Sequence, residues 1–263
     1  MQTERLTTQI TFIRRRITEV GSRVIPTPWG TFVWNADYPL VHDLANCEWV
    51  DRWPSDLSVR DLITDLEKRT RRAGLRHQLL LFAVTSLADQ AQDDLIQAGF
   101  AHVPGLNLAN LKSPRRKPRQ EVRVVETTSS EDTAAFWRMA AQELGASESS
   151  PEESRQQMSY DRQRYVTLSA RLFLATIGNR SVGYAVLIED RGLGYLFQVY
   201  TLPGYRRKGV ATTIILRLIE ATEEAGNRLT ALTVNSSNKP ALEMYRQLGF
   251  VEVGAKRNFE RMV

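Results

Sequence analysis

The segment from residue 199 to residue 226 constrains the fold most, because a strand, a basic turn and an amphipathic helix follow one another directly. The turn, residues 205–211, reads Tyr-Arg-Arg-Lys-Gly-Val-Ala. The apolar residues that share one helical face after it are Ile214, Ile215, Leu218 and Ile219, and Gly226 ends the helix. A helix N-terminus exposes unpaired backbone N–H groups and the positive end of the helix dipole. The turn therefore predicts an anion-binding site at the start of this helix.

The residues of this turn exclude two common phosphate-binding loops. Gly204 and Gly209 have the spacing of a Walker loop, but Val210 and Ala211 stand in place of its lysine and its hydroxyl residue. The glycine pattern of a dinucleotide-binding turn is missing as well. The turn is therefore expected to hold its anion without a metal ion, with Gly209 leaving room for close approach to the backbone.

A second motif follows one helix and one strand further along the chain. Residues Leu229 to Val234 are typical of a strand, and Asn238 with Pro240 marks the start of a helix over Lys239 to Leu248. Asn238 and Tyr245 stand seven positions apart, nearly two helical turns, so they project on the same side. A core-facing tyrosine on an amphipathic helix is the alternative interpretation of this motif taken alone.

Together the two motifs resemble the signature of the GNAT superfamily of N-acetyltransferases. The pattern Arg206-x-x-Gly209-x-Ala211 is similar to the acyl-CoA loop of that family. Its distal signature is matched in residue type and spacing by Asn238, Ala241, Tyr245, Leu248, Gly249 and Phe250. The resemblance covers roughly Val122 to Val263. It implies an α/β fold of the mixed α+β kind, in which a splayed mixed sheet is flanked by helices and acyl-CoA lies between two strands.

The resemblance also implies which residues form the site. The backbone of residues 199–201 would bond the pantetheine arm, the amides of residues 207–212 would hold the diphosphate, and Asn238 would bond the pantetheine arm as well. Tyr245 would be the catalytic residue, a general acid that protonates the departing thiolate. The residues expected to bind the cofactor acetyl-CoA are Val199, Tyr200, Thr201, Arg206, Arg207, Lys208, Gly209, Val210, Ala211, Thr212 and Asn238. No metal is implied.

The implied activity is transfer of an acetyl group from acetyl-CoA to a primary amine by direct attack. Gln198 and Thr233 occupy the positions where many family members carry a carboxylate base. The carboxylates left to replace it through a water, each also typical of a hydrated surface, are Glu143, Glu148, Glu189 and Asp190. A non-catalytic acyl-CoA-binding or regulatory module is therefore the alternative function.

The acceptor is expected to be a small-molecule or peptide amine, bound between residues 131–164 and the C-terminal strands. The loop from Gly145 to Glu153 carries Glu148, Glu152 and Glu153, which favours a cationic acceptor such as a polyamine or an aminoglycoside. The same carboxylates are also typical of a hydrated surface loop.

The stretch from Ser113 to Arg119 divides the chain, because it holds two prolines and four basic residues and no large apolar side chain. We predict a first domain over residues 1–112, a linker over residues 113–120 and a GNAT-like domain over residues 121–263. No aromatic residue is interleaved with the basic run, so a solvated linker is favoured over a nucleic-acid site.

The first domain repeats the order of the second in a shorter form. A strand over Leu79 to Val84, a helix over Ala88 to Gln97, the pair Gly99-Phe100 and a strand over Leu106 to Leu111 follow one another. The first domain lacks the basic loop, and it has no tyrosine at the position of Tyr245. We predict a tandem GNAT arrangement with a degenerate first unit, and an unrelated α/β domain is the alternative.

Composition sets the remaining bounds. A net charge of +5 and 42% hydrophobic residues are typical of an ordinary globular protein. Cys47 is the single cysteine and all three histidines precede residue 120, which excludes a disulfide framework and a histidine-based triad in the second half. A signal peptide and an apolar stretch of membrane-spanning length are both missing from the sequence, so we predict a cytoplasmic protein. Trp29, Trp34, Trp49 and Trp53 are expected in packing rather than in a ligand cage.

Overall fold

One mixed sheet of eleven strands runs through both halves of the chain. The computed structural model describes residues 2–42, 44–146 and 150–263. Its helices are α1 (Gln2–Glu19), α2 (Val59–Arg72), α3 (Thr85–Gln97), α4 (Ser130–Gly145), α5 (Pro151–Thr167), α6 (Val210–Glu224) and α7 (Lys239–Gln247). Its strands are β1 (Arg23–Pro26), β2 (Gly30–Trp34), β3 (Cys47–Val50), β4 (His77–Phe82), β5 (Ala101–Asn110), β6 (Arg123–Glu126), β7 (Arg171–Ile177), β8 (Arg180–Asp190), β9 (Leu193–Thr201), β10 (Leu229–Asn235) and β11 (Phe250–Met262).

The strand order is β1-β2-β3-β4-β11-β5-β10-β9-β8-β7-β6. The two halves of the chain therefore exchange one strand each. Strand β5 comes from the first half and pairs with β10 of the second. Strand β11 comes from the second half and pairs with β4 of the first, while β5 and β11 pair with each other. Each half thus completes the sheet of the other.

The two halves repeat one arrangement of elements. In the first, β3-α2-β4-α3-β5 begins with a parallel strand pair, and in the second, β9-α6-β10-α7-β11 does the same. The glycine between the last helix and the last strand is left-handed in both, with φ of 85° at Gly99 and 87° at Gly249. This repetition of topology and of a special backbone position supports the predicted tandem arrangement.

The second half of the sheet is covered by helices on both faces. Along β7 and β8, alternate side chains point to opposite faces. Phe173, Ala185 and Leu187 pack with α6, whereas Tyr184 and Val186 pack with α1 and α4. Helix α1 contributes Leu6, Ile10, Ile13 and Ile17 to that second face. In the first half, α2 and α3 pack together over the strands around β4.

The elements predicted around the motifs are present with small shifts at their ends. The predicted acidic loop is shorter than expected, because α5 begins at Pro151 and takes in Glu152 and Glu153. Helix α1 and strands β1 to β3 have no counterpart among the sequence predictions. Trp29 and Trp49 are buried in the core of the first half, as expected. Cys47 is buried as well, and burial raises the pKa of its thiol. No helix among the described residues is long and apolar enough to span a membrane.

Candidate active site

The sheet opens where β9 and β10 separate. These parallel strands pair from Leu193 and Leu229 only as far as Leu196 and Leu232, although both continue further. Immediately after the last pair, β9 is bulged, because Phe197 has no partner in the register between β9 and β8. A bulge bends its strand and increases the local twist. The backbone edges beyond the bulge therefore face an opening instead of a neighbouring strand.

A cleft of about 1030 Å³ fills this opening, and it is lined by β9, the basic turn, β10 and α7. All the residues predicted for the site line it except Lys208. The Lys208 ammonium lies 5.1 Å from the centre of the Tyr205 ring instead. The structure thus brings together two motifs that lie more than twenty residues apart in the chain.

The basic turn ends in an uncapped helix. Gly209 is the N-cap residue of α6, has a φ of 84°, and provides no side chain to bond the first N–H groups. Arg207 is also left-handed, with a φ of 65°, a conformation that costs a non-glycine residue energy. A Cβ at position 209 would lie 2.7 Å from Cγ of Arg119. Glycine is therefore required there for both conformation and space.

Asn238 has a structural task at the cleft. Its side-chain oxygen accepts a hydrogen bond from the N–H of Ala241 at 3.2 Å and so caps α7. The side-chain amide nitrogen remains as the group that can donate to a ligand. Because capping holds the Asn238 side chain beside the cleft, capping α7 and donating to a ligand are compatible.

Tyr245 lines the cleft and is 8% exposed. Its ring packs edge-on against Phe250, with the ring centres 5.5 Å apart. Burial, with Tyr195 nearby as a smaller cause, raises the pKa of Tyr245 to about 12. The phenol is therefore protonated at neutral pH and suited to donate a proton. Among the described residues, no three His, Cys, Asp or Glu side chains are grouped to hold a metal ion.

The family model of the acetyltransferase (GNAT) family matches residues 135–250, which include both motifs and the splayed strands. Residues 135–250, in the C-terminal half, therefore form a GNAT acetyltransferase domain. Curated sequence relatives are N-acetyltransferases as well. An uncharacterized N-acetyltransferase of Methanocaldococcus jannaschii is 30% identical over 98 residues, 35% of this chain and 43% of the relative. The ribosomal protein bS18-alanine N-acetyltransferase of Escherichia coli is 34% identical over 87 residues, 33% of this chain and 59% of the relative. The chain thus spans about half the length of these curated relatives.

Solved structures extend the likeness beyond the GNAT domain. A GCN5-related N-acetyltransferase from Kribbella flavida superposes with a TM-score of 0.65 at 14% identity, covering 97% of this chain and 95% of that one. A tandem GNAT protein from the clavulanic acid biosynthesis pathway superposes with a TM-score of 0.55 at 14% identity, covering 77% of this chain and 69% of that one. At this identity the comparison concerns the fold alone. It confirms the GNAT-like mixed sheet and the tandem arrangement predicted from the sequence.

The carboxylates that could replace the missing base lie at different distances from the cleft. Glu189 and Asp190 pair in the sheet with Gly194 and Leu193, at the end of β9 away from the cleft. Both are occupied there, Glu189 by Arg171 and Asn227 and Asp190 by Arg16. Glu148 lies outside the described residues. These positions leave Glu143 of α4.

Glu143 lies on the face of the sheet that α4 covers. It is half-buried and accepts a hydrogen bond from the hydroxyl of Tyr184. Tyr184 is the sheet partner of Tyr200, which lines the cleft, and their ring centres are 5.7 Å apart. Burial raises the pKa of Glu143 above the ordinary carboxyl range. Sequence reasoning could not prefer Glu143, since only the fold brings α4 over β8.

The two positions that lack a carboxylate on the splayed strands are polar and occupied. The side-chain oxygen of Gln198 accepts a hydrogen bond from the Tyr165 hydroxyl at 2.5 Å. The Thr233 hydroxyl donates to the side-chain oxygen of Asn107 on β5 at 2.8 Å.

Two acidic side chains of the loop expected to favour a cationic acceptor have partners at the start of α5. Glu153 forms the capping box of α5, and Glu152 pairs with Arg155.

Proposed function

We propose that the chain is an N-acetyltransferase that transfers the acetyl group of acetyl-CoA to a primary amine by direct attack. The observation that carries the proposal is the cleft between the splayed strands β9 and β10, with an uncapped helix at one end and the buried phenol of Tyr245 inside. A GNAT family match over the same residues supports it. The activity is assigned to the second half alone.

The proposed place of the cofactor follows from the groups along the cleft. The N–H groups of residues 207–212 and the positive end of the α6 dipole are suited to a diphosphate. The open backbone edge of β9 at residues 199–201 is suited to the amides of the pantetheine arm. The absence of a Cβ at position 209 lets an anion approach the backbone of the turn, beside the Arg119 side chain that lies over Gly209.

In the proposed mechanism an uncharged amine attacks the thioester carbonyl carbon, and the carbon–sulfur bond breaks. Tyr245 donates its proton to the leaving sulfur, which general-acid catalysis makes faster by about 10²–10⁴-fold. Glu143, on the face of the sheet that α4 covers, accepts the proton that the amine loses through an intervening water. Backbone N–H groups of the splayed strand stabilise the negative charge that develops on the carbonyl oxygen.

The acceptor class in this proposal is a small-molecule or peptide amine. The Escherichia coli relative is named for an alanine of a ribosomal protein, so a peptide N-terminus belongs in the first panel of acceptors. Polyamines and aminoglycosides represent the cationic small molecules. A non-catalytic acyl-CoA-binding module is the second candidate, because Gln198 and Thr233 leave the splayed strands without a carboxylate.

Calorimetry with acetyl-CoA and a thiol-release assay over that acceptor panel test the proposal. We expect acetyl-CoA to bind and at least one amine to release free thiol at a rate above hydrolysis. Binding without turnover on any amine would favour the non-catalytic module. If acetyl-CoA does not bind, both candidates are wrong.

A further inference from the structure

The basic linker lies across the mouth of the cleft. At one end, the N–H of Arg115 donates to the carbonyl of Gln247 at the end of α7, at 2.9 Å. At the other, the N–H of Arg119 donates to the hydroxyl of Thr213 in the first turn of α6, also at 2.9 Å. The segment between them therefore connects the two helices that bound the cleft, although its side chains are exposed.

Two linker arginines reach the cofactor site from this position. Arg116 is one of the residues that line the cleft. The side chain of Arg119 passes over Gly209, with its Nε 3.1 Å from the point that a Cβ at position 209 would occupy. Arg119 therefore lies beside the uncapped start of α6, and Arg116 lies further toward α7.

Among the residues that the structure describes, no carboxylate forms a salt bridge with these arginines. None of the salt bridges formed within the described parts of the chain involves Arg116, Arg119, Arg206 or Arg207. The carboxylate that lines the cleft, Glu243, accepts a hydrogen bond from Gln247. Cations at a helix N-terminus are unfavourable by themselves, because the helix dipole is positive there. Such a cluster is stabilised when a ligand with several negative charges binds.

We infer that the linker completes the cofactor site, with Arg119 binding the diphosphate of coenzyme A and Arg116 binding its ribose 3′-phosphate. This inference rests on the proposed function. Coenzyme A carries a third phosphate outside its diphosphate, and a diphosphate on the start of α6 leaves that third group near the mouth of the cleft. Arg116 is the linker cation among the residues that line the cleft.

The linker offers a matched control. Arg115 is a neighbouring exposed arginine that lines a separate pocket with Lys112 and Arg246. R115Q therefore removes the same charge from the same segment without touching the cleft. The experiment measures the dissociation constants of acetyl-CoA and of 3′-dephospho-acetyl-CoA by calorimetry at one ionic strength. The proteins are the full chain and the variants R115Q, R116Q and R119Q, with thermal unfolding as a check that each folds.

We expect R119Q to weaken both ligands about tenfold, since a charge-assisted hydrogen bond to a phosphate is lost in either complex. R116Q is expected to weaken acetyl-CoA about tenfold and the dephospho analogue less than about twofold. R115Q is expected to bind both ligands as the full chain does.

Several outcomes overturn the inference while leaving the proposed function intact. Unchanged binding by R116Q and R119Q would remove the linker from the site. An equal loss for both ligands in R116Q would exclude the 3′-phosphate contact, and an equal loss in R115Q would show a general effect of charge. Failure of the unmodified chain to bind acetyl-CoA would contradict the proposed function itself.

Discussion

The two units of the tandem begin their central helices in opposite ways. Helix α2 starts with a capping box, in which the Ser58 side chain accepts from the N–H of Asp61 and the Asp61 carboxylate accepts from the N–H of Ser58. Helix α6 occupies the equivalent place in the second unit and starts at Gly209 with no side-chain cap. A carboxylate of the protein thus occupies in the first unit the place that an anionic ligand is proposed to take in the second.

The parallel strand pairs of the two units also differ, because one stays paired to its end and the other separates. In the first unit, β3 and β4 pair up to Val50 and Phe82, and the N–H of Ala83 still donates to the carbonyl of Val50 at 3.0 Å. In the second unit, pairing between β9 and β10 stops at Leu196 and Leu232. The first unit therefore has the same fold, but its helix start is capped and its parallel strands do not separate. It lacks the two features that form the proposed cofactor cleft of the second unit. This difference explains its degenerate motif in structural terms.

The largest effect is expected from separating the units. A chain that starts at residue 121 lacks β5, which lies between β10 and β11. We expect this fragment to aggregate or to remain unfolded, because unpaired strand edges expose backbone hydrogen-bonding groups and associate. Size-exclusion chromatography and circular dichroism against the full chain measure this. A folded monomeric fragment would show that the exchange of strands is dispensable.

The next test places a carboxylate at the start of α6, as the first unit has at the start of α2. In G209D a carboxylate beside the free N–H groups of α6 would repel the diphosphate, and we expect acetyl-CoA affinity to fall about a hundredfold. G209A is the matched control, because it introduces the same Cβ and the same left-handed strain without charge. We expect a smaller loss there, about tenfold. Equal losses in the two variants would mean that charge at this cap is irrelevant.

The phenol of Tyr245, our proposed general acid, gives a third contrast. Tyr245 and Leu95 stand four positions before Gly249 and Gly99, and both are buried. We expect Tyr245→Phe to lower kcat at least about tenfold while acetyl-CoA affinity stays nearly the same, since only the proton donor is lost. Steady-state kinetics and calorimetry on the same preparation separate these effects. An unchanged kcat would remove Tyr245 from the mechanism.

The pH profile tests Glu143. A general base acts in its deprotonated form, and burial raises the pKa of Glu143. We therefore expect kcat/KM of the unmodified chain to fall on acidification at a higher pH than an ordinary carboxyl group would produce. We expect E143Q to lower kcat about tenfold and to abolish this acidic limb. E189Q, at the opposite end of β8, serves as the control and should retain it. An acidic limb that survives in E143Q would assign the titration to another group.

The smallest effect concerns the first unit alone. Ser58→Ala removes the cap of α2, and we expect it to lower the free energy of unfolding by about 1 kcal/mol with no change in acetyl-CoA affinity. Hydrogen bonds from Ser58 lower the pKa of Asp61, so their contribution is present at neutral pH and is lost as the pH falls through the lowered pKa. Urea unfolding at neutral and acidic pH measures both. A difference between variant and parent that grows on acidification would contradict this account.

The sequence predicted those parts of the molecule that depend on neighbouring residues. The turn at Gly209, the helix after Asn238 and the repeated Gly-Phe pairs are local patterns, and the structure places them as expected. Helix α1 is not among the sequence predictions, although Leu6, Ile10, Ile13 and Ile17 have helical spacing and pack on the sheet of the second half.

Pairings over long distances could not be predicted in the same way. The pattern of β5 indicates a strand but not its partners, and the register between Leu108 and Leu232 exists only in the folded sheet. Arg119 is an ordinary linker residue in the sequence, and its position over Gly209 depends on α6 being placed beside the linker. Glu143 reaches Tyr184 for the same reason. The division at residues 113–120 remains our proposal for where the units meet.

The exchange of β5 and β11 has a consequence for synthesis on the ribosome. Domains that are contiguous in sequence usually fold as they emerge, the N-terminal one first. Here the first unit cannot close its sheet until residues 250–262 have been made, since β11 lies between β4 and β5. Strands β4 and β5 therefore keep these edges unpaired while residues 121–249 are translated, and we expect both units to complete their sheets only after β11 has been made.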